Sequence, residues 1–466
     1  MTTWFGTAGI RGTYLEDVTP GLATLVGKAI TAYLKARKIA LGGDARTTTP
    51  LLKHAAAVGA MYIGSDVIDL GIIPMPVLPW WVNRGDSDGG IYITASHNPP
   101  TDNGIKVFDG EGREFTRSME EELESLMKKG SFQPASWKEV GTLTRQDSLR
   151  EYIDELVSFD MPENPRISPR VLVDTANGPS ALVTPHVLRS LGADVITFNS
   201  AIDGYFPGRT PEPRPDVLEP YLPSARELGV HVFLAHDGDG DRLAVLDPVK
   251  GFIKQDHLIA LLAKEKLSQR KGTIIVSIDV GNAVRDVVHD MGGKLEVVRL
   301  GKIHEGLIKN PSALMAAEPW KLIDPSWGPW IDGMHQASLI VKMIIESGKK
   351  IGELMNTVPN YPQARFSIKV PKGIRDAVYE ALLNKVKQLD KGKGKVQTID
   401  GYRLDLPNKT WVLVRKSGTE PKVRIYAEAK KSSTLENLVN ELIKEAKKAV
   451  SPEDRGKLII EGKIIY

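Results

Sequence analysis

Hydrophobic and polar positions along the chain repeat one pattern three times. A short run of β-branched residues ends in a polar loop of Gly, Asp or Asn, an amphipathic helical stretch follows, and a glycine-containing turn leads into a second apolar run. The copies begin at Ile39-Ala40-Leu41-Gly42-Gly43-Asp44, at Val171-Leu172-Val173-Asp174-Thr175-Ala176-Asn177-Gly178 and at Ile274-Ile275-Val276-Ser277-Ile278-Asp279. Their helices are expected to end near Gly64, Gly192 and Gly292. Each unit can bury its helix against a parallel strand pair through a right-handed crossover, and the starts lie about 100 to 130 residues apart, one domain's worth of chain. The pattern predicts three related α/β domains with mixed sheets. After 359–362 it changes: Phe366-Ser367-Ile368-Lys369-Val370 reads as a strand, with helices near 376–389 and 433–449, which together predict a smaller α+β domain. The expected partition is 1–148, 149–249, 250–362 and 363–466, marked by the polar stretch 131–137 and by the prolines near 248 and 359.

Composition narrows the partners. The 466 residues carry 61 Lys and Arg against 58 Asp and Glu, a formal charge of +3 with no basic tract of the kind a nucleic-acid binder needs. Small molecules are the expected partners, with no nucleic acid and no membrane, and with a second copy of the chain as the one macromolecular partner left open. There is no cysteine, hence neither a disulfide framework nor a thiolate metal site. The amino terminus lacks a charged start followed by an apolar run, and no apolar stretch approaches the roughly 18 residues of a membrane span. A cytoplasmic location is expected, and the sequon Asn408-Lys409-Thr410 is read as chance.

Three loops carry candidate chemistry. Thr94-Ala95-Ser96-His97-Asn98-Pro99 follows a strand over 91–94, and its prolines stop simple continuation, so Ser96 is placed at a strand's carboxyl end, where open α/β sheets bind ligands. The alternative is a serine that merely caps a turn; against it stands Asn103-Gly104-Ile105-Lys106, which brings a cation close behind the hydroxyl. Asp237-Gly238-Asp239-Gly240-Asp241-Arg242 follows a buried-type strand over 230–235 and offers three carboxylates at alternate positions. These form an oxygen-only shell suited to Mg²⁺ or Mn²⁺. An EF-hand loop is excluded because Arg242 stands where glycine is required and Pro248 where a bidentate glutamate is required. A solvated acidic turn is the remaining alternative. The third loop, Arg415-Lys416-Ser417-Gly418-Thr419-Glu420-Pro421-Lys422-Val423-Arg424, sets hydroxyls, backbone amides and guanidinium groups between two strands, an arrangement that can grip a phosphate dianion or stand as a plain hairpin.

Together these loops resemble those of the α-D-phosphohexomutases, the phosphoglucomutase and phosphomannomutase group. The matching pieces run in the family's order: Phe5-Gly6-Thr7-Ala8-Gly9-Ile10-Arg11-Gly12, the serine loop with Asn103-Gly104-Ile105-Lys106, Asp203-Gly204-Tyr205-Phe206-Pro207 with Pro211-Glu212-Pro213, the aspartate loop, and Arg415-Lys416-Ser417-Gly418-Thr419-Glu420-Pro421. The resemblance implies four domains around a central cleft, each giving one loop. It implies a phosphorylated Ser96 that donates its phosphoryl group to a hexose monophosphate, forms a hexose 1,6-bisphosphate and recovers the other phosphate. One Mg²⁺ would be held by Asp237, Asp239, Asp241 and a phosphoserine oxygen at Ser96, and would offset charge on the transferring group. Arg11 and Arg242 would add positive potential, with Lys106 and His97 as acid/base candidates. Arg415, Ser417, Gly418, Thr419 and Arg424 would hold the phosphate that is not reacting.

The sequence departs from this pattern at the sugar loop. The family commonly reads Gly-Glu-x-Ser-Gly-His, and this chain has Ala317-Glu318-Pro319-Trp320-Lys321-Leu322. Glu318 keeps the carboxylate expected on sugar hydroxyls. Trp320 is expected either to stack on a hexose face or to pack beneath the loop. Lys321 is expected to take over polar contact, and His304 is a second candidate for reaching the sugar. The expected reaction is interconversion of hexose 1-phosphate and hexose 6-phosphate, with glucose or mannose as the sugar and glucosamine phosphate as the alternative. A metal-dependent serine phosphatase and a non-catalytic sugar-phosphate binder are the rival classes; the phosphatase gives no reason for a second phosphate grip, and the binder none for Ser96.

Overall fold

The computed structural model describes residues 4–6, 9–370, 373–417, 422–451, 453 and 458–465. Contacts divide the chain into two units. One is Met1–Ile253 with Leu307–Pro311 and Trp320–Asn356; the other is Lys254–Gly306 with Ser312–Pro319 and Thr357–Tyr466.

The first unit contains two mixed sheets. One runs in the order Ile10–Thr13, Asp102–Phe108, Gly89–Ile93, Lys38–Gly43, Asp66–Ile72, Leu143–Arg145. Its first three strands pair antiparallel and the remainder parallel. Helices Pro20–Leu34 and Thr49–Ile63 pack together over it, and Ile39, Leu41, Ile91, Ile93, Ile105 and Val107 form its share of the core. Thr19 caps the first helix by accepting from Leu22 N at 3.1 Å, and Gly64 ends the second in the left-handed conformation. The other sheet runs Gly251–Phe252, Leu243–Asp247, Val232–His236, Arg170–Asp174, Asp194–Phe198, with the last three parallel. Residues 248–250 form the turn of its hairpin.

Helix Gly333–Ser347 packs against Leu149–Asp160 and Thr184–Ser190 in the same unit. Their interface is polar at its heart. His335 Nδ1 lies 2.8 Å from Asp160 Oδ2 and His335 Nε2 3.0 Å from Asp324 Oδ2, while Tyr152 donates to Asp332 at 2.5 Å. Burial would lower the His335 pKa, but the two carboxylates outweigh it and push the value up to about 10.

In the second unit, Lys294–Val298 and Met315–Glu318 flank Thr273–Ser277 in parallel. A six-stranded sheet, antiparallel throughout, runs Lys395–Gln397, Tyr402–Asp405, Trp411–Lys416, Lys422–Glu428, Gln363–Lys369, Ile459–Ile465. The two-residue strand period sends Val412 and Val414 toward helices Arg375–Leu389 and Ser432–Lys448, and Trp411 and Leu413 to the other face against Ile278 and Tyr426. Both faces are therefore buried. Among the described residues, no helix is long and apolar enough to cross a membrane.

Candidate active site

The site is assembled where strands of the first unit end. Strand Gly89–Ile93 runs directly into the serine loop, and Ser96 is fully buried with a left-handed backbone (φ 53). An L-residue holds that conformation only when its surroundings impose it. Arg46 supplies much of the constraint. Its guanidinium donates to the carbonyl of Ser96 at 2.9 Å, of Asn98 at 2.7 Å and of Asp102 at 3.0 Å, and also to that of Pro99, while Nε pairs with Asp44 at 3.1 Å. Thr94 Oγ1 accepts from Ser96 N at 2.7 Å and shares its one proton between Asp44 Oδ2 (2.7 Å) and Asp239 Oδ2 (3.1 Å).

Strand Val232–His236 delivers the aspartate loop beside it. Ser96 Oγ donates to Asp237 Oδ2 at 2.7 Å and lies 3.4 Å from His97 Nδ1. Asp237 Oδ1 accepts from the amides of Gly240 and Arg242, which closes the loop on itself. Glycine is required at two positions. A Cβ at Gly238 would lie 2.5 Å from the Ser96 carbonyl, and Gly240 has φ 80.

The carboxylates of Asp237, Asp239 and Asp241 are buried, with one ligand oxygen from each within 4.8 Å of the others. Asp239 Oδ1 and Asp241 Oδ1 accept no hydrogen bond from any described residue. Buried oxygens without donors, in a set made only of carboxylates, fit a hard divalent cation such as Mg²⁺. Cations already surround them: Lys106 Nζ is 2.7 Å from Asp241 and 3.7 Å from Asp239, and Arg242 Nε is 3.8 Å from Asp237 and from Asp241. Burial, with Asp239 and Asp241 alongside, pushes the Asp237 pKa well up. Burial would raise Asp241 too, but Lys106, Lys321 and Arg242 hold it well below the usual carboxylate range. Lys106 is raised against its own burial by Asp241, Asp239 and Glu114. His97 is lowered by burial and then by Arg242 and Arg11. Arg11 Nη1 lies 3.5 Å from His97 Nδ1, while its Nε and Nη2 are buried without a hydrogen-bond partner among the described residues.

The residues expected at the sugar separate by unit. Trp320 has φ 78, and its ring packs on Phe252, with centroids 5.5 Å apart, against the core of the second sheet. Lys321 is buried, with Nζ 4.0 Å from Asp241 Oδ2. In the second unit, Glu318 Oε2 accepts from Gly301 N at 2.6 Å, just before the helix Ile303–Lys309 that carries His304. The expected phosphate grip also lies in the second unit, where Arg415 and Arg424 are direct partners on adjacent antiparallel strands. Like charges set opposite each other are unfavourable unless an anion or acid intervenes. Asp400 does so for Arg415 at 3.2 Å, and Arg415 Nε keeps no hydrogen-bond partner among the described residues. Ser417 N donates to Lys422 O at 2.9 Å and closes the loop's base; Gly418 and Thr419 lie outside the described residues.

Arg46, Asp44 and Thr94 were not singled out by sequence reasoning as site residues. A signal existed: Gly43-Asp44-Ala45-Arg46 closes the first repeat's strand, the position at which the second repeat carries Asp174-Thr175-Ala176-Asn177.

A mixed α/β scaffold bearing a buried serine against an acidic triad is an arrangement phosphoryl transfer can use, and comparison with known proteins supplies the family. Family models for phosphoglucomutase/phosphomannomutase match alpha/beta/alpha domain I at residues 2–134, alpha/beta/alpha domain II at 150–250 and the C-terminal domain at 369–445. The chain belongs to the phosphoglucomutase/phosphomannomutase family and is an intramolecular phosphotransferase with the family's four-domain architecture. A phosphopentomutase of Thermococcus kodakarensis is 41% identical over 453 residues, covering 95% of this chain and 99% of that one. A probable phosphoglucosamine mutase of Methanopyrus kandleri is 34% identical, covering 95% and 97%. The crystal structure of a phosphoglucomutase/phosphomannomutase family protein from Burkholderia thailandensis shares the fold at a TM-score of 0.83 and 23% identity, covering 97% of this chain and 99% of that one.

Proposed function

We propose that the protein interconverts hexose 1-phosphate and hexose 6-phosphate, with glucose or mannose as the sugar, through a phosphoserine at Ser96 and a hexose 1,6-bisphosphate. The observation that carries this reading is Ser96 Oγ at 2.7 Å from a carboxylate of the acidic triad. A substrate hydroxyl oxygen attacks the phosphorus on Ser96; the bond from phosphorus to Ser96 Oγ breaks, and the hydroxyl proton passes to His97, the candidate base, while Lys106, kept as an ammonium by Asp241 and Asp239, is left the acid's role. The bisphosphate then turns and its other phosphoryl group returns to Ser96, which leaves the phosphate on the opposite carbon. Asp237, Asp239 and Asp241, with an oxygen of the Ser96 phosphate, would hold one Mg²⁺, whose chemistry is to neutralise charge on the transferring group. Arg11 and Arg242 would add positive potential without proton transfer. Glu318 and His304 would meet the sugar, and Arg415, Ser417 and Arg424, with Gly418 and Thr419, would hold the idle phosphate. A division into parts at 148/149, 249/250 and 362/363 belongs to the same reading.

A pentose phosphate is the second reading, favoured by the relative named phosphopentomutase. Glucosamine phosphate is the third, supported by relatives such as that of Methanopyrus kandleri. Steady-state comparison of the 1-phosphates of glucose, mannose, glucosamine and ribose tests all three. The hexose reading expects glucose or mannose to give the highest kcat/KM, with no inorganic phosphate released. A preference for ribose or glucosamine moves the assignment to that sugar, and stoichiometric phosphate release overturns the mutase mechanism in favour of a phosphatase.

A further inference from the structure

The lysine of the divergent sugar loop does not point outward. Lys321 opens strand Lys321–Ile323, is 7% exposed, and sets its ammonium 4.0 Å from Asp241. Its neighbours on both sides are anchored. The Trp320 carbonyl accepts from Leu243 N at 3.1 Å, one residue beyond the aspartate loop, and the Leu322 carbonyl accepts from Asp332 N at 3.0 Å. Asp332 is itself held, capping the helix Gly333–Ser347 through the amides of Met334 and His335 at 3.0 Å each. The backbone on both sides is thus fixed, and the buried side chain brings its charge to Asp241 of the metal loop.

We propose that Lys321 is a positioning residue for the aspartate loop: a built-in counter-charge that keeps Asp237, Asp239 and Asp241 together when no cation is bound and sets how tightly they take one. This rests on reading the triad as the cation site. Three carboxylates clustered within 4.8 Å repel one another, and Lys106 and Arg242 offset part of that repulsion. Lys321 offsets more. A fixed ammonium and an incoming divalent ion are drawn to the same oxygens and repel each other, so the lysine trades ion affinity for a loop that is assembled beforehand. At an effective dielectric of about 20, one charge a few Å from the ion changes its affinity by roughly tenfold or more.

The test uses the full chain with Mg²⁺ as the probe, measuring binding by titration calorimetry and Tm with and without the ion. Lys321→Met, close in length and volume, should bind Mg²⁺ at least about tenfold more tightly. Its Tm should fall without Mg²⁺ and return toward the wild-type value at saturation, because the ion supplies the missing charge. Lys321→Arg should keep wild-type Mg²⁺ affinity. Unchanged affinity in Lys321→Met overturns the proposal, as does an equal loss of Tm with and without Mg²⁺, the signature of packing alone. A rise in sugar-phosphate KM with no change in Mg²⁺ binding also overturns it and makes Lys321 a sugar contact. Wild-type protein that binds no Mg²⁺, or binding that Asp239→Asn leaves untouched, instead overturns the reading of the triad and the proposal with it.

Discussion

In the first unit, Ser96 and the three aspartates lie in loops that follow the carboxyl ends of strands and are fully buried; in the second, Arg415 and Arg424 face each other across an antiparallel hairpin and are partly buried. Ser96 is fixed by its own strained backbone, by Arg46, by Thr94 and by Asp237. Arg415 has Asp400 beside it and a spare Nε. Bonds made and broken need reacting atoms placed within a fraction of an ångström, which dense packing supplies. The grip proposed for the idle phosphate needs only a few charged contacts.

Ser96→Ala is the strongest way to break this contrast. It removes the group proposed to carry phosphate, so turnover should fall by on the order of 10⁴-fold or more, and intact-mass spectrometry of the wild type should show a phosphorylated fraction that the variant lacks. Full activity in that variant would sink the mechanism. Asp239→Asn comes next. It keeps the side chain's shape while removing one of three negative charges, so turnover should fall by roughly 10² to 10³-fold and the Mg²⁺ titration should weaken. An unchanged titration would mean that the loop is structural.

Arg415→Ala tests the other side. Losing one charged hydrogen-bonding partner should cost about 2 to 3 kcal/mol in kcat/KM, roughly thirty- to two-hundred-fold, expressed mainly in KM. Single-turnover transfer from Ser96 should survive, and its disappearance with KM unchanged would put the hairpin in the chemical step.

The smallest effect on turnover is expected at His335, away from both loops. Its folded-state value of about 10 lies above the unfolded value near 6.5, so its stabilisation is complete below about pH 6 and is lost as pH rises toward 10. Between those limits stability should fall by up to about 1.4 kcal/mol per pH unit. The groups facing the ring are Asp160 and Asp324, with Trp327 stacked at 6.0 Å and Phe159 edge-on at 5.6 Å. His335→Gln should flatten the Tm against pH profile over this range, and a profile that keeps its slope would assign the loss to other groups.

The elements that repeat were legible in the chain. Helices Thr49–Ile63 and Asn282–Asp290 stop within two residues of Gly64 and Gly292, and strands Gly89–Ile93 and Val232–His236 run into the serine and aspartate loops. Those features depend on residues a few positions apart, where periodicity, glycine and proline act directly. The alternate spacing of Asp237, Asp239 and Asp241 was likewise enough to expect carboxylates that converge.

What a lone side chain would meet was not legible. Trp320 could equally stack on a sugar or pack, and the fold sets its partly buried ring beside Phe252. Lys321 reads as a polar loop residue until the fold carries it to Asp241, 80 positions away. Arg46 gathers carbonyls from residues 50 to 56 positions further on, which no local pattern announces. The sequence by itself determined the repeats, the strand-end loops and the residue types each loop offers, because hydrophobic period and turn chemistry are short-range. The tertiary structure decided which charge faces which, because a buried ammonium or guanidinium takes its role from whatever oxygens the distant strands bring within about 4 Å.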